Sequence, residues 1–155
     1  MDTIDKNILQ ILQKNTTLPL SEIANRVGIS KTPCWNRIRA LEEKGVIREK
    51  VAILDEGKLN LNVVVFLSIS VSHHSNSWIK QFSETVKKHE QIIEVYRVTG
   101  SNMDYLLKIV AASVAEYDEF QQRLINEIEF SNMSSSIALK EIKRATALPL
   151  EFLKV

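Results

Sequence analysis

The spacing of apolar positions changes along the chain. Up to about residue 45 they recur every three to four residues, and beyond residue 62 short alternating runs interrupt the helical pattern. Ile4, Ile8, Ile11 and Leu12 predict a first amphipathic helix, with Asp2 and Asp5 near its N-terminus, where the helix dipole favours negative charge. The stretch Thr17-Leu18-Pro19-Leu20 breaks it. A short second helix follows, capped by Ser21 and burying Ile23, Ala24 and Val27. Gly28 stops that helix in the left-handed conformation, Ile29 plugs the angle, and Ser30 caps a third helix reaching about Lys44. Pro33 fits its first turn and Gly45 ends it. The second helix, tight turn and third helix make a helix-turn-helix.

At about 100° per residue, Cys34, Ile38 and Leu41 share one face of the third helix and Thr32, Asn36, Arg39 and Glu43 lie near the opposite one. That polar face suits a DNA groove. A guanidinium at Arg39 matches guanine and the amide of Asn36 matches adenine, while Lys31, Trp35 and Arg37 occupy the flanks where phosphates run. The β-branched stretch from Val46 to Leu54 predicts a small wing or a strand leading out of the unit, with Arg48 and Lys50 toward the DNA backbone.

A polar connector containing Asp55, Gly57, Lys58 and Asn60 precedes a strand in which Val63, Val65, Leu67, Ile69 and Val71 share a face. After the polar loop His73 to Ser77, Trp78, Ile79, Phe82 and Val86 stripe a helix that ends near Lys88. Ile92 to Thr99 and Tyr105 to Ala111 read as two strands joined by a turn-rich loop at 100 to 104. Ser113 and Glu116 predict a capping box for a helix that buries Val114, Tyr117, Phe120, Leu124 and Ile128, and Ser135 to Ile142 supplies a last strand. The order β-α-β-β-α-β predicts an antiparallel four-stranded sheet with both helices on one face. Both alternating sets within Val63 to Phe66 are apolar, so the free face calls for a partner, and homodimerisation through the sheets is the expectation. The organisation is thus 1–50 for the DNA-binding domain, 51–62 for a hinge strand and linker, and 63–155 for a sheet-forming assembly domain.

Composition adds limits rather than a function. The 155 residues are 45% apolar and 25% charged, ordinary for one or two modest globular cores. No basic segment followed by an apolar stretch opens the chain, and the longest apolar run, Val63 to Leu67, is far too short to span a membrane. A cytoplasmic protein is expected. Cys34 is the sole cysteine, so an intrachain disulfide is excluded and a buried inert thiol is expected. The net charge of +1 conceals an asymmetry, with +3 on residues 1 to 50 and −2 on the remainder. Only the first part invites a polyanion. His73 and His74 are adjacent but lack further ligands at metal-binding spacing, so no metal site is expected.

The strings LSEIANRVGIS at 20 to 30 and KTPCWNRIRALEEKGVI at 31 to 47 resemble the Lrp/AsnC, or feast/famine, regulators. VTGSNMDYLLKI at 98 to 109 and SSSIALKEIKRATALPL at 134 to 150 extend the resemblance over essentially the whole chain. It implies an α+β protein, an N-terminal winged helix-turn-helix followed by a ferredoxin-like βαββαβ sandwich. The third helix would read the major groove of double-stranded DNA, and homodimers or larger assemblies, up to a tetramer or octamer, would sense an amino-acid-like effector. The effector region maps to Gly100, Ser101, Asn102, Met103 and Asp104, with Ser135 and Ser136 of the last strand. Chemically, backbone groups at a glycine turn plus one carboxylate can hold a free amino acid. Family members commonly read Gly-acid-x-Asp here, whereas this loop is one residue longer and lacks the first acid, which implies an altered effector or none.

Two other functions share the same residues. An architectural DNA-binding protein would keep the first domain and dispense with the effector. An enzyme resembling the siroheme decarboxylases would need histidine or arginine in a large pocket, and the sequence offers only His73, His74 and His89, with no catalytic triad or phosphate loop.

Overall fold

A computed structural model describes residues 1–100 and 102–154. The chain divides into two compact units, Met1–Ile53 with the C-terminal segment from Ile142, and Leu54–Glu141.

In the first unit α1 (Thr3–Leu12), α2 (Leu20–Val27) and α3 (Lys31–Glu43) enclose a core of Ile8, Leu9, Leu12, Ile23, Ala24, Cys34, Ile38 and Leu41. Leu9 joins that core, whereas Ile4 and Ile11 are only half-buried at its margin. The α2 helix starts two residues earlier than expected, with Pro19 rather than Ser21 at its N-cap, because the Pro19 carbonyl accepts from the N–H groups of Glu22 and Ile23 at 2.9 and 3.2 Å. Ser30 is the N-cap of α3 but makes no side-chain capping bond.

Both α2 and α3 end in the same way. Gly28 (φ +74°) and Gly45 (φ +68°) take the left-handed conformation. Ile29 N–H then reaches Ala24 O at 3.0 Å, and Val46 N–H reaches Leu41 O at 2.9 Å. These reverse bonds satisfy carbonyls that the helix leaves open and turn the chain sharply.

Residues 46–54, expected as a wing or strand, form no strand. β-branched residues favour extended backbone, but a strand needs a neighbouring edge to complete its hydrogen bonds, and among the described residues the first unit contains no other strand. The C-terminal segment, expected to belong with 63–155, instead returns to the first unit. Gln13 clamps it: Nε2 donates to the Leu148 carbonyl at 3.1 Å and Oε1 accepts from the Leu148 N–H at 2.9 Å. Leu150 packs at the edge of the helical core.

The second unit is a four-stranded antiparallel sheet of β1 (Val63–Ser70), β2 (Ile92–Arg97), β3 (Tyr105–Ala111) and β4 (Asn132–Ile137), in the order β2-β3-β1-β4. Two helices, α4 (Asn76–Lys88) and α5 (Val114–Glu127), complete it. Val65, Leu67 and Ile69 of β1 and Tyr105, Leu107 and Ile109 of β3 pack with Phe82 of α4 and Tyr117, Phe120 and Leu124 of α5. Alternation puts Phe66 on the other face of the sheet, where it is exposed.

Three local expectations change. Val114, the first residue of α5, is exposed rather than buried. Glu116 accepts from Ala112 N–H at 2.9 Å instead of closing the cap on Ser113, although Ser113 Oγ does accept from Glu116 N–H at 3.1 Å. The last strand runs Asn132–Ile137 rather than 135–142, its register set by β1 from Ser70 opposite Asn132 to Val65 opposite Ile137.

The ends of α4 and α5 meet at Glu127, whose carboxylate lies 3.1 Å from His89 Nε2 and 3.2 Å from Lys88 Nζ. His89 first and Lys88 second hold its pKa below the ordinary value of 4.5. Because the folded-state value is the lower one, this contribution to stability is complete above 4.5 and is lost as pH falls through the depressed folded value. Glu127→Gln should therefore lower the melting temperature at neutral pH, and the gap from wild type should close on acidification. A gap that persists in acid would assign the loss to packing instead.

Candidate nucleic-acid interface and effector loop

Burial of Cys34, Ile38 and Leu41 fixes the rotation of α3 about its axis. Fully burying one such aliphatic side chain contributes about 1.5 to 3 kcal/mol, more than an exposed ion pair at about 0 to 1 kcal/mol, so packing sets the pose and the surface charges follow it. Burial also pushes the Cys34 thiol pKa up, keeping it protonated and unreactive. Lys31, Thr32, Trp35, Asn36 and Arg39 are exposed, as are Arg48 and Lys50 beyond the helix.

These side chains are differently engaged. The Arg39 guanidinium lies 5.2 Å over the Trp35 ring, with Nε 3.2 Å from Glu43 Oε1, so stacking holds the fork near the helix surface while most of it stays in water. Lys50 pairs with Glu42 and would have to exchange that carboxylate for a phosphate. Arg37 differs from the others. Expected on a phosphate-facing flank, it turns toward α1, where Asp2 and Asp5 take its guanidinium. Sequence reasoning saw those aspartates only as helix-dipole partners; the three-residue spacing of Asp2 and Asp5 hinted at a cap but not at a cation more than thirty residues away.

The loop between β2 and β3 is tied to the end of β1. The Asp104 N–H donates to Ile69 O at 2.9 Å, Asp104 O accepts from Val98 N–H at 2.9 Å, and Asp104 Oδ2 accepts from Val71 N–H at 2.9 Å. Asp104 Oδ1 lies 3.5 Å from His74 Nε2, and the His74 ring neighbours Trp78 and Tyr105. The sequence offers His74 as a metal ligand or a tetrapyrrole contact and gives no sign of this pairing; among the described residues no cluster of metal-binding side chains exists. The carboxylate expected to capture an ammonium group is thus already engaged within its own chain.

The left-handed residue of this loop is Asn102 (φ +64°), not Gly100. Gly100 and Asn102 are exposed and Met103 is half-buried; Ser101 lies outside the described residues. Ser135 and Ser136 are not brought to the loop within one chain. Ser136 sits opposite Phe66 in the register, four positions along β1 from Ser70, roughly 13 Å at strand spacing. Adjacent strand residues face opposite ways, and Ser135 shares a 2.6 Å hydrogen bond with Tyr117 on the helix side.

Residues 1–48 match the family model for winged helix-turn-helix DNA-binding, and residues 64–148 match the Lrp/AsnC ligand binding domain. The chain belongs to the Lrp/AsnC family of transcriptional regulators. As a member it is a DNA-binding transcriptional regulator of the α+β class. It is 38% identical over 152 residues to the DNA-binding transcriptional activator DecR of Escherichia coli K12, covering 97% of this chain and 99% of that protein. It is 37% identical over 150 residues to the glutamate uptake regulatory protein of Zymomonas mobilis, covering 97% and 91% respectively. Among solved structures, an AsnC family regulator from Agrobacterium tumefaciens matches with a TM-score of 0.94 and 46% identity, covering 99% of this chain and 100% of the other. A Neisseria meningitidis transcriptional regulator in complex with L-Met matches with a TM-score of 0.93 and 32% identity, covering 99% of each. Among the described residues no helix of this Lrp/AsnC chain is long and apolar enough to cross a membrane.

The turn that presents α3 can be tested directly. A Cβ built at Gly28 meets nothing within 4 Å, so Gly28→Ala should cost about 1 to 2 kcal/mol through left-handed backbone strain alone. Gly28→Asn should cost less, because asparagine tolerates that conformation better. Chemical denaturation of the two variants measures the difference, and equal losses would point to a cause other than backbone conformation.

Proposed function

We propose that this regulator reads a specific operator through the outward face of α3 and answers to a small amino-acid-like effector held by its second unit. One observation carries the DNA half: Asn36 and Arg39 are exposed directly behind a buried stripe that fixes their direction. Arg39 is the base reader, forking onto guanine after releasing Glu43, and Asn36 pairs with adenine. Thr32 and Trp35 line the same contact, while Lys31, Arg48 and Lys50 meet phosphates. Homodimers, or assemblies of them, would supply paired recognition helices to two half-sites. The exposed Phe66 on the face of the sheet away from α4 and α5 supports pairing through the sheets.

The effector half draws its support from the matched ligand-binding domain and from the L-Met complex of the Neisseria relative. The loop residues Gly100, Asn102, Met103 and Asp104 are its centre. Ser135 and Ser136 would join it only across an interface between chains. Since Asp104 already serves Val71 and His74, the loop offers an ammonium group a shared rather than a free carboxylate. This chemistry supports an effector different from one captured by two open acids. A regulator is favoured over a tetrapyrrole enzyme because His74 and His89 stand at opposite ends of α4, a 13-residue helix roughly 20 Å long, and so do not converge on one ligand.

Two measurements test the two halves. Arg39→Ala should lose about 1 to 3 kcal/mol of binding at fragments selected from genomic DNA and much less on random duplex. Equal losses would make Arg39 a phosphate contact. For the effector, a thermal shift or change in assembly size across the twenty amino acids should single out one or a few. Silence with all twenty would favour an architectural DNA-binding protein.

A further inference from the structure

Arg37 lies on α3 between Asn36 and Arg39, yet its guanidinium serves the start of α1. Nη1 lies 2.7 Å from Asp2 Oδ2 and 2.8 Å from Asp5 Oδ1. The same two carboxylates cap α1 reciprocally. Asp5 N–H donates to Asp2 Oδ1 at 2.9 Å and Asp2 N–H donates to Asp5 Oδ2 at 3.0 Å. Each carboxylate therefore spends one oxygen on the cap of α1 and the other on Arg37, which joins the two helices through a closed set of four bonds.

We infer that Arg37 is a positioning residue for operator reading, held by the Asp2–Asp5 cap so that α3 presents Asn36 and Arg39 at a fixed angle, and is not a phosphate contact. Three observations support this. The Arg37 side chain is 32% exposed against 59% for Arg39, and its partner Asp5 is only 14% exposed. Two carboxylates around one guanidinium leave the cluster negative overall, so a phosphate brought to it would be repelled rather than bound. Bidentate base contacts also tolerate little rotation of the reading helix, and locking that rotation from outside the DNA interface is what a bond from α1 to α3 accomplishes. The inference rests on the assignment of α3 as the DNA-reading helix.

The test uses the full chain with Asp2→Asn and Asp5→Asn combined. Asparagine caps a helix about as well as aspartate, so α1 keeps its cap while the charges holding Arg37 disappear. Binding is measured on duplexes selected from genomic DNA and on a random duplex of equal length, across a salt series and well below the melting temperature. Operator affinity should fall about tenfold while random-duplex affinity holds or rises, collapsing the ratio between them, with the salt slope unchanged. General destabilisation would lower both affinities together and leave the ratio intact, which would overturn the inference. So would unchanged operator binding, or tighter binding with a steeper salt dependence, since Arg37 would then be a phosphate contact that the acids restrain. Arg37→Gln covers the case in which the double variant fails to fold: the ratio should again collapse at constant salt slope, whereas a slope reduced by about one would identify a phosphate contact and overturn the proposal. A wild-type protein that does not distinguish the selected duplexes from random DNA would overturn the reading function itself, and the positioning role with it.

Discussion

The burial of Cys34, Ile38 and Leu41 against α1 and α2 is the constraint from which the rest of the recognition unit follows. Three side chains at helical spacing leave a single rotation of α3 that hides them all, and that rotation turns Asn36 and Arg39 to solvent. The reversals at Gly28 and Gly45 then act as mechanical stops on α2 and α3, and the acid pair at the start of α1 braces the helix from the side. Surface charge contributes affinity for DNA only after this packing has decided where each charge stands.

Much of this was legible in the sequence because its signals are local. Gly28, Pro33 and Gly45 punctuate the helices within a few residues of where they act, and the period of the apolar positions separates helix from strand. The framework of the sheet was legible for the same reason, through the alternation from Val63 to Val71 and the hairpin before Tyr105. The errors fall where distant partners decide. The strand at Asn132–Ile137 is polar along most of its length and takes its bounds from pairing with β1 rather than from its own composition. Residues 46–54 have strand-like chemistry without an edge to pair with. The pairing of Arg37 is hidden in the same way: its neighbours on α3 suggest a flank position, while the carboxylates beside it stand at the start of α1.

The loop at 100 to 104 reads as a turn in the sequence, and the fold adds the contacts that its letters do not show. Its letters show a glycine, a turn and a carboxylate, which suggest freed backbone groups and an open acid. In the fold the left-handed residue is Asn102, and Asp104 is committed to Val71 and His74. A side chain's charge can be read from its letter, but whether that charge is available depends on contacts formed by residues thirty positions away. The two serines of β4 illustrate the same point, since one step along a strand puts neighbours on opposite faces.

The return of the C-terminal segment to Gln13 and Leu150's seat on the helical core make the recognition unit discontinuous, with the whole sheet unit inserted in its middle. On the ribosome, residues 1–53 emerge first yet receive their closing segment only after the sheet has been synthesised. A product cut short before residue 148 would carry three helices without the clamp at their flank, leaving the edge of the helical core open to aggregation or proteolysis.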